Sequence, residues 1–402
     1  MALIRPGLSA LSSKRMDLAR IQEALRREKL DAWLFFDHHQ RDPLAYRVLG
    51  LYPLRHVTRR WYYLIPAHGE PRGLVHRIES GMLDALPGDK LQYSSWSEQH
   101  TALGLLLTGS KRVAMQYSPL CAVPYVAMVD AGTVELVRSL GAEVVTSAEL
   151  IQEFEACLSE AQFASHIEAG KRVDKVRTGA FDFITANLVT GVSELMVKDW
   201  VRQQFKAAGM VTDSGPIVGV NANAGNPHYE PTPETSRPIH PGDFVLVDLW
   251  AKLDLPDAAF YDITWTGFCG DPPDRIREVF EIVRDARDKA VQTVVDAKAA
   301  NRQICGFEVD DAARNYISSR GFGDRFVHRT GHSIGTEVHG SGANMDNLET
   351  HDERRILPGA LFSVEPGIYL DDFGVRSEVN VFVTAGSAAT TGAVQRELVR
   401  IG

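Results

Sequence analysis

The stretch Phe244–Thr266, FVLVDLWAKLDLPDAAFYDITWT, decides how the rest of the chain is read. It holds two strand-like runs, FVLVDLWA and FYDITWT, each carrying one carboxylate, Asp248 and Asp262. An unpaired ionised carboxylate in a buried strand costs several kcal/mol, so a positive partner has to hold it there. The segment is centred on Leu255 beside Pro256, and a hairpin turning there places Asp248 opposite Asp262 on one face of the ladder. Two like charges side by side require a cation.

The same construction recurs downstream. Glu365 in FSVEPGIY and Glu378 in GVRSEVNVFV flank the turn-like Asp371–Gly374, and folding there again brings two carboxylates together. Between the pairs lies His332, in HRTGHSIG. Carboxylate oxygens with one imidazole suit a borderline-hard divalent ion such as manganese or cobalt better than a thiolate-bound structural zinc. Four carboxylates exceed what one divalent ion needs, so two ions bridged by carboxylates and a water or hydroxide are the economical arrangement. Such a centre generates a nucleophile near neutral pH and polarises a carbonyl, which points to hydrolysis.

With 402 residues, 44% of them hydrophobic, the chain can bury the cores of two domains. Its net charge of −9, without a basic cluster, argues against nucleic acid as a partner. Cys121, Cys157, Cys269 and Cys305 lack a ligand-like spacing and read as reduced thiols. No apolar run reaches membrane-spanning length, and MALIRPGLSALSSKR has no signal-peptide core, so a cytoplasmic location and no membrane partner are expected.

In chain order, a helix at Met16–Arg27 precedes strands at Ala32–Phe36, Trp61–Pro66, Gly73–His76 and Arg112–Gln116. A helix at Tyr125–Leu140 and a strand at Ala142–Val145 complete a small α/β domain, residues 1–158. His38, His39, His56 and His76 fall in it without carboxylate partners at recognisable spacing and read as structural or surface residues, His38 and His39 being the ones most able to reach a neighbouring active site. A polar helical segment, Ser159–Asp174, marks the boundary to a second domain, residues 159–402. That domain opens with helices to Asn187 and at Ser193–Ala208, then a glycine-rich loop at Gly215–Asn226. Apolar stripes at Ile276–Val294 and Val309–Arg320 predict two further amphipathic helices, the second closed by Gly321.

These residues together resemble the pita-bread metallopeptidases, the family of methionine aminopeptidase, aminopeptidase P and prolidase. The likeness runs from about Glu160 to the C-terminus, and the first domain looks like the one that prolidases, aminopeptidases P and creatinases place before it. The implied fold is a creatinase/prolidase-type α/β domain followed by an α+β pita-bread catalytic domain. The implied metal ligands are Asp248, Asp262, His332, Glu365 and Glu378, with Asp262 and Glu378 bridging two divalent ions, manganese preferred over cobalt or zinc. His228 in NPHY and His339 in EVHG are implied to bind substrate and stabilise the oxyanion, with His328 and Arg376 lining the same pocket. Glu365 is placed to take a proton from the nucleophile and deliver it to the proline nitrogen. The implied activity is hydrolysis of Xaa-Pro bonds in short proline-containing peptides, as a prolidase in preference to an aminopeptidase P, and the implied assembly is a homodimer.

Three positions depart from the family pattern: Trp265 where DITRT has Arg, Gly340 where an acidic residue is common, and Val379 where Asp or Asn often follows the glutamate. They are expected to alter the pocket and the groups behind the ligands. Gly331–Gly335 also fits the G-x-S-x-G nucleophile elbow, but Thr336–Gly342 does not read as the helix that an elbow requires. A creatinase-like hydrolase, other non-peptidase chemistry such as a lyase, or a silent binding protein on the same fold are the competing readings. A complete ligand set argues against the first and the last of these.

Overall fold

The computed structural model describes residues 16–51 and 56–402. They fall into two compact units, one ending at Glu155 and the other running from Ala156 to Gly402.

The first unit is built on a mixed six-stranded sheet in the order Asp89–Tyr93, Arg72–His76, Trp61–Pro66, Ala32–Asp37, Arg112–Met115, Glu143–Thr146. The central strand AWLFFD is buried on both faces: Trp33 and Phe35 enter one apolar cluster, Leu34 and Phe36 the other. Strict alternation of side chains across a strand produces that division. The expected helix at Tyr125–Leu140 is shorter, Ala131–Ser139, because Asp130 caps it by accepting from the Thr133 amide and Pro124–Val126 forms a separate 3₁₀ turn. The edge strand Asp89–Tyr93 and the helices Pro43–Leu49 and Trp96–Leu106 are additions to the expected order.

The second unit packs long helices against short sheets. The Ser159–Asp174 segment is helical as expected and runs on as a single 28-residue helix, Glu160–Asn187, whose Ala169, Val173, Val176 and Phe181 are buried in the unit's own core. The segment read as a glycine-rich loop contains a strand, Ile217–Val220, and a 3₁₀ turn, Asn221–Gly225. Helices Glu194–Ala207, Asp274–Ala299 and Gly306–Ser319 lie where periodicity predicts them, and Gly321 sits just past the last one at φ +86°.

The hairpin of Phe244–Leu253 with Tyr261–Cys269 forms, but its register differs from the expected one. Asp248 pairs with Thr264 and Trp250 with Asp262, so the turn is centred on Pro256 and the two aspartates are diagonal neighbours. One residue of shift in the centre moves the pairing by two, which leaves both carboxylates on the same face. Downstream, Leu361–Val364 pairs with Val379–Val383, and Gly367–Tyr369 with Gly374–Arg376. The two ladders share one register, Val364↔Val379 and Gly367↔Arg376, and Glu365 therefore falls across from Glu378 in the gap between them. Asn380 joins the two halves, accepting from the Asp262 amide at 3.3 Å and donating to its carbonyl at 2.7 Å.

Candidate metal centre

Asp262, His332 and Glu378 come together from three segments distant in sequence: Asp262 from a strand, His332 from between the bridges at Gly331 and Ser333, and Glu378 from the gap before Val379–Val383. All are buried, and each offers a ligand atom within 4.8 Å of the others. His332 is delivered by a tight backbone approach: its carbonyl accepts from the Ser363 amide at 2.9 Å. A Cβ on the preceding Gly331 would collide with the Ser363 carbonyl, so this position takes only glycine. The imidazole Nδ1–H faces the Ser333 carbonyl at 3.2 Å, which leaves the Nε2 lone pair 3.5 Å from Asp262 Oδ2 and 3.4 Å from Glu365 Oε1. A lone pair facing two carboxylates is a geometry that a cation completes.

The electrostatics fit the same reading. Asp262 and Glu378 are held well above the ordinary carboxylate range, first by burial and then by the charges of neighbouring carboxylates. Glu365, as deeply buried, lies below its ordinary value because His332 and Arg376 face it. Among the described residues Asp262 Oδ1 and Glu378 Oε1 are buried acceptors without a hydrogen-bond donor. Unfilled carboxyl oxygens beside an unprotonated imidazole nitrogen are the donor set of a hard or borderline divalent ion, which would displace the protons that burial favours.

Asp248 joins this group through Arg376, whose Nη2 lies 2.5 Å from Asp248 Oδ2 and whose Nε lies 3.8 Å from Glu365 Oε2. Arg376 also donates to Thr264 Oγ1 at 2.9 Å, to the Tyr369 hydroxyl at 3.2 Å and to the Pro227 carbonyl at 3.2 Å. His328 donates from Nδ1 to the Arg329 carbonyl at 2.6 Å and accepts the Tyr369 hydroxyl proton at Nε2, 2.7 Å away. Its burial lowers its pKa to about 4, so it stays neutral. His339 stacks edge-on against His332 with ring centroids 4.3 Å apart, and that neighbour lowers its pKa, also to about 4. His228 is exposed, and the structure does not bring it into the group; the Pro227 carbonyl beside it accepts from Arg376.

Several participants escaped the sequence reading. Thr264 accepts from Arg376 and donates to Glu378 Oε2 at 2.9 Å, linking the guanidinium to a carboxylate of the centre. Its signal was present: Asp262, Thr264 and Thr266 recur with period two in a strand that is otherwise mostly apolar. Tyr369 lies between His328 and Arg376. The fully buried Glu194 accepts from the Val220 and Arg237 amides, each at 2.7 Å, from Asn223, and from the Tyr229 hydroxyl at 2.6 Å, and so orders the loop that carries His228. Thr264→Val keeps shape and strand propensity while deleting both bonds. Activity on a cleaved peptide is expected to fall about 10- to 100-fold with the fold retained, as for other groups that orient ligands. Kinetics beside a circular dichroism melt check this, and unchanged kcat/KM would remove Thr264 from the centre.

The three departures occupy different surroundings. Trp265 lies on the opposite strand face from Asp262, its ring under the Arg177 guanidinium at 3.5 Å, so it does not enter the centre. Val379 is buried in the apolar core of the unit. Gly340 is closely packed, since a Cβ there would lie 2.9 Å from Ser333 Oγ. Ser333 itself is buried, its hydroxyl accepting from the Gly342 amide at 3.1 Å, and no helix follows it, which removes the nucleophile-elbow reading.

Residues 164–385 match metallopeptidase family M24. The chain is 32% identical over 223 residues to an Xaa-Pro dipeptidase of Lactobacillus delbrueckii subsp. lactis, 55% of each chain. Such matches cover about half the length of the curated relatives. Among solved structures, the dipeptidase PepE of Mycobacterium ulcerans superposes with TM-score 0.71 at 24% identity, covering 96% of this chain and all of that one. The prolidase of Pyrococcus horikoshii OT3 does so with TM-score 0.64 at 25% identity, covering 95% and 99%.

Proposed function

The chain belongs to metallopeptidase family M24, and from that premise we propose that its buried carboxylate–imidazole centre holds two divalent ions, manganese first among them, and hydrolyses Xaa-Pro bonds of short peptides. The observation that carries this reading is the convergence of Asp262, His332 and Glu378 ligand atoms within 4.8 Å, with a buried, unpartnered oxygen on each carboxylate. Asp248 and Glu365 are the further ligands in this proposal. Bound there, divalent ions would supply an activated water and polarise the scissile carbonyl.

The protein's own groups then have separable roles. Glu365 stays ionised and so can accept the proton of the attacking water and hand it to the proline nitrogen as the tertiary amide breaks. His339, neutral and beside His332, donates to the developing oxyanion. Arg376, His328 and Tyr369 form one hydrogen-bonded wall that orients the peptide, and His228, next to the Pro227 carbonyl that Arg376 holds, is the further substrate contact in this proposal.

Prolidase is preferred to aminopeptidase P, and the substrate series that separates them is Leu-Pro, Leu-Ala and Leu-Pro-Pro, offered to metal-stripped protein before and after manganese, cobalt or zinc. Metal-dependent cleavage of Leu-Pro, with little of the other two, is expected. Preference for the tripeptide moves the assignment to aminopeptidase P, and no cleavage with metal demonstrably bound sinks the peptidase reading. Light scattering on the same preparation tests the proposed homodimer.

Protons and ions compete for the same carboxylates, so manganese affinity is expected to fall as pH is lowered from about 8 to about 6. In the metal-stripped chain the sign for stability is the reverse. Burial raises Asp248 to about 7 despite Arg376. A carboxyl raised on folding stabilises fully below its unfolded pKa near 4 and loses that contribution as pH climbs through the folded value. Metal-stripped wild type should therefore lose stability relative to Asp248→Asn as pH rises from about 4 to about 8. Urea titrations of both proteins across that range check it, and a difference that grows in favour of wild type contradicts it.

A further inference from the structure

The helix Asp274–Ala299 turns Val283, Ala286, Ala290 and Val294 into the core of the second unit, and Arg287 lies on the same face, 0% exposed. A guanidinium taken out of water is costly unless it is paired and hydrogen-bonded. Arg287 meets that condition in two directions. Its Nε at 3.0 Å and Nη2 at 2.7 Å donate to Asp288 Oδ1, on a side chain that is 39% exposed and whose Oδ2 accepts from Arg396 at 2.8 Å. Its Nη1 points the other way, donating to Ser377 Oγ at 2.6 Å and to the Gln395 carbonyl at 2.9 Å. A partner for Asp288 is available at the surface, as Arg396 shows. The two Nη1 contacts are what require the guanidinium to be buried.

Ser377 stands between two groups of the metal centre. Arg376 Nε and Glu378 Oε2 both meet Thr264 Oγ1, each at 2.9 Å, while Ser377 between them turns its hydroxyl to Arg287, as alternation along an extended chain dictates. Residues 377 and 378 fall between the ladders of Gly374–Arg376 and Val379–Val383, where strand pairing does not hold them. The Glu378 amide donates to the Thr264 carbonyl at 3.2 Å, the long end of the range for such a bond, and the Ser377 side chain is a second anchor for the segment. Gln395, itself fully buried, makes the other connection. Its side chain accepts from the Thr266 amide at 3.0 Å and donates to the Thr266 carbonyl at 2.6 Å, in the strand that carries Asp262. One nitrogen of Arg287 therefore fixes the spacing between the Asp262 strand and the segment that carries Arg376 and Glu378.

We propose that Arg287 is a positioning residue for the metal centre, an inference that rests on the reading of that centre given above. Through Ser377 it holds the Glu378 carboxylate and the Arg376 guanidinium at the separation that Thr264 bridges. It touches neither ion nor peptide. It acts by keeping a ligand from swinging, which sets metal affinity in the folded protein and not only the stability of the fold.

Calorimetric titration of the metal-stripped full chain with manganese, beside urea unfolding of the same samples, tests this. Ser377→Ala removes the hydroxyl while Arg287 keeps Asp288 and the Gln395 carbonyl, so the fold should be retained and manganese affinity should fall about tenfold or more. Arg287→Lys keeps the charge but loses the fork that reaches Asp288 and Ser377 together, and should weaken manganese similarly. Val294→Ala, on the same helix and in the same core, deletes packing without a bond to Ser377; it should lose stability and keep wild-type manganese affinity. Manganese affinity within about twofold of wild type in both Ser377→Ala and Arg287→Lys, far short of the loss usual for a group that orients a ligand, overturns the proposal and leaves the centre standing. So does an equal loss of affinity in Val294→Ala, which would reduce the effect to general loosening of the core. Wild type that binds no manganese overturns the reading of the centre, and this proposal with it.

Discussion

Asp262→Asn is expected to lower kcat/KM on an Xaa-Pro peptide by more than about 100-fold, beyond the loss usual for a group that only orients a ligand, while leaving the metal-stripped protein at least as stable as wild type. The two halves of this expectation come from the same geometry. Among the described residues the Asp262 side chain has no hydrogen-bond donor on Oδ1, and the imidazole nitrogen of His332 lies 3.5 Å from Oδ2. Asparagine fills the same volume, so no packing is lost, and its amide can donate to a neighbouring carboxylate. It also removes one of the charges that push Glu378 upward. What it cannot provide is the second anionic oxygen between Glu378 and His332, and ion binding should weaken accordingly. Elemental analysis, steady-state kinetics and urea unfolding on one preparation separate these effects. Full metal content with near wild-type kcat/KM would remove Asp262 from the centre, and a large loss of stability in the stripped variant would show that it is held by contacts other than a cation.

How much of this was legible in the sequence depended on whether the signal was periodic or positional. The buried strands at Ala32–Asp37 and Phe244–Leu253 announce themselves because they are apolar on both faces. The edge strand DKLQY, largely exposed, carries no such run, and its neighbour's backbone alone makes it a strand. The helix Trp96–Leu106 was signalled by the capping box Ser95-x-x-Glu98, a local pattern overlooked beside weak amphipathicity. At the site, burial of Asp248 and Asp262 and their shared face followed from alternation, but their register did not, because it depends on how the Asp254–Ala258 turn packs. Arg376 was named by resemblance as a pocket residue. That it pairs with Asp248, a full strand away, needs the tertiary structure, and so does Thr264 as the bridge between them.

Arg376→Leu should be the most destabilising single change in the centre, costing about 3–5 kcal/mol in the metal-stripped protein, the range for removing one partner of a buried ion pair. Arg376 is 4% exposed and serves four acceptors, among them Asp248 at 2.5 Å and Thr264 at 2.9 Å. Without it the buried Asp248 loses its guanidinium partner beside Asp262 and Glu365, whose charges already push it up. The cost therefore arises from what the arginine leaves behind more than from what it contributes, and a double-mutant cycle separates the two. Asp248→Leu with Arg376→Leu should recover most of the loss, because a buried pair exchanged for apolar residues of similar volume is often neutral. Arg376→Lys should be intermediate, since one ammonium cannot reach Asp248, Thr264, Tyr369 and the Pro227 carbonyl together. Bound ions take over part of the neutralisation, so the same Arg376→Leu change should cost less in manganese-loaded protein than in stripped protein. Urea unfolding of wild type, Asp248→Leu, Arg376→Leu, the double variant and Arg376→Lys, with and without manganese, measures every arm. A cost below about 1 kcal/mol, the value of an exposed ion pair, or one that manganese leaves unchanged, would mean that Arg376 and the ions do not share the same carboxylates.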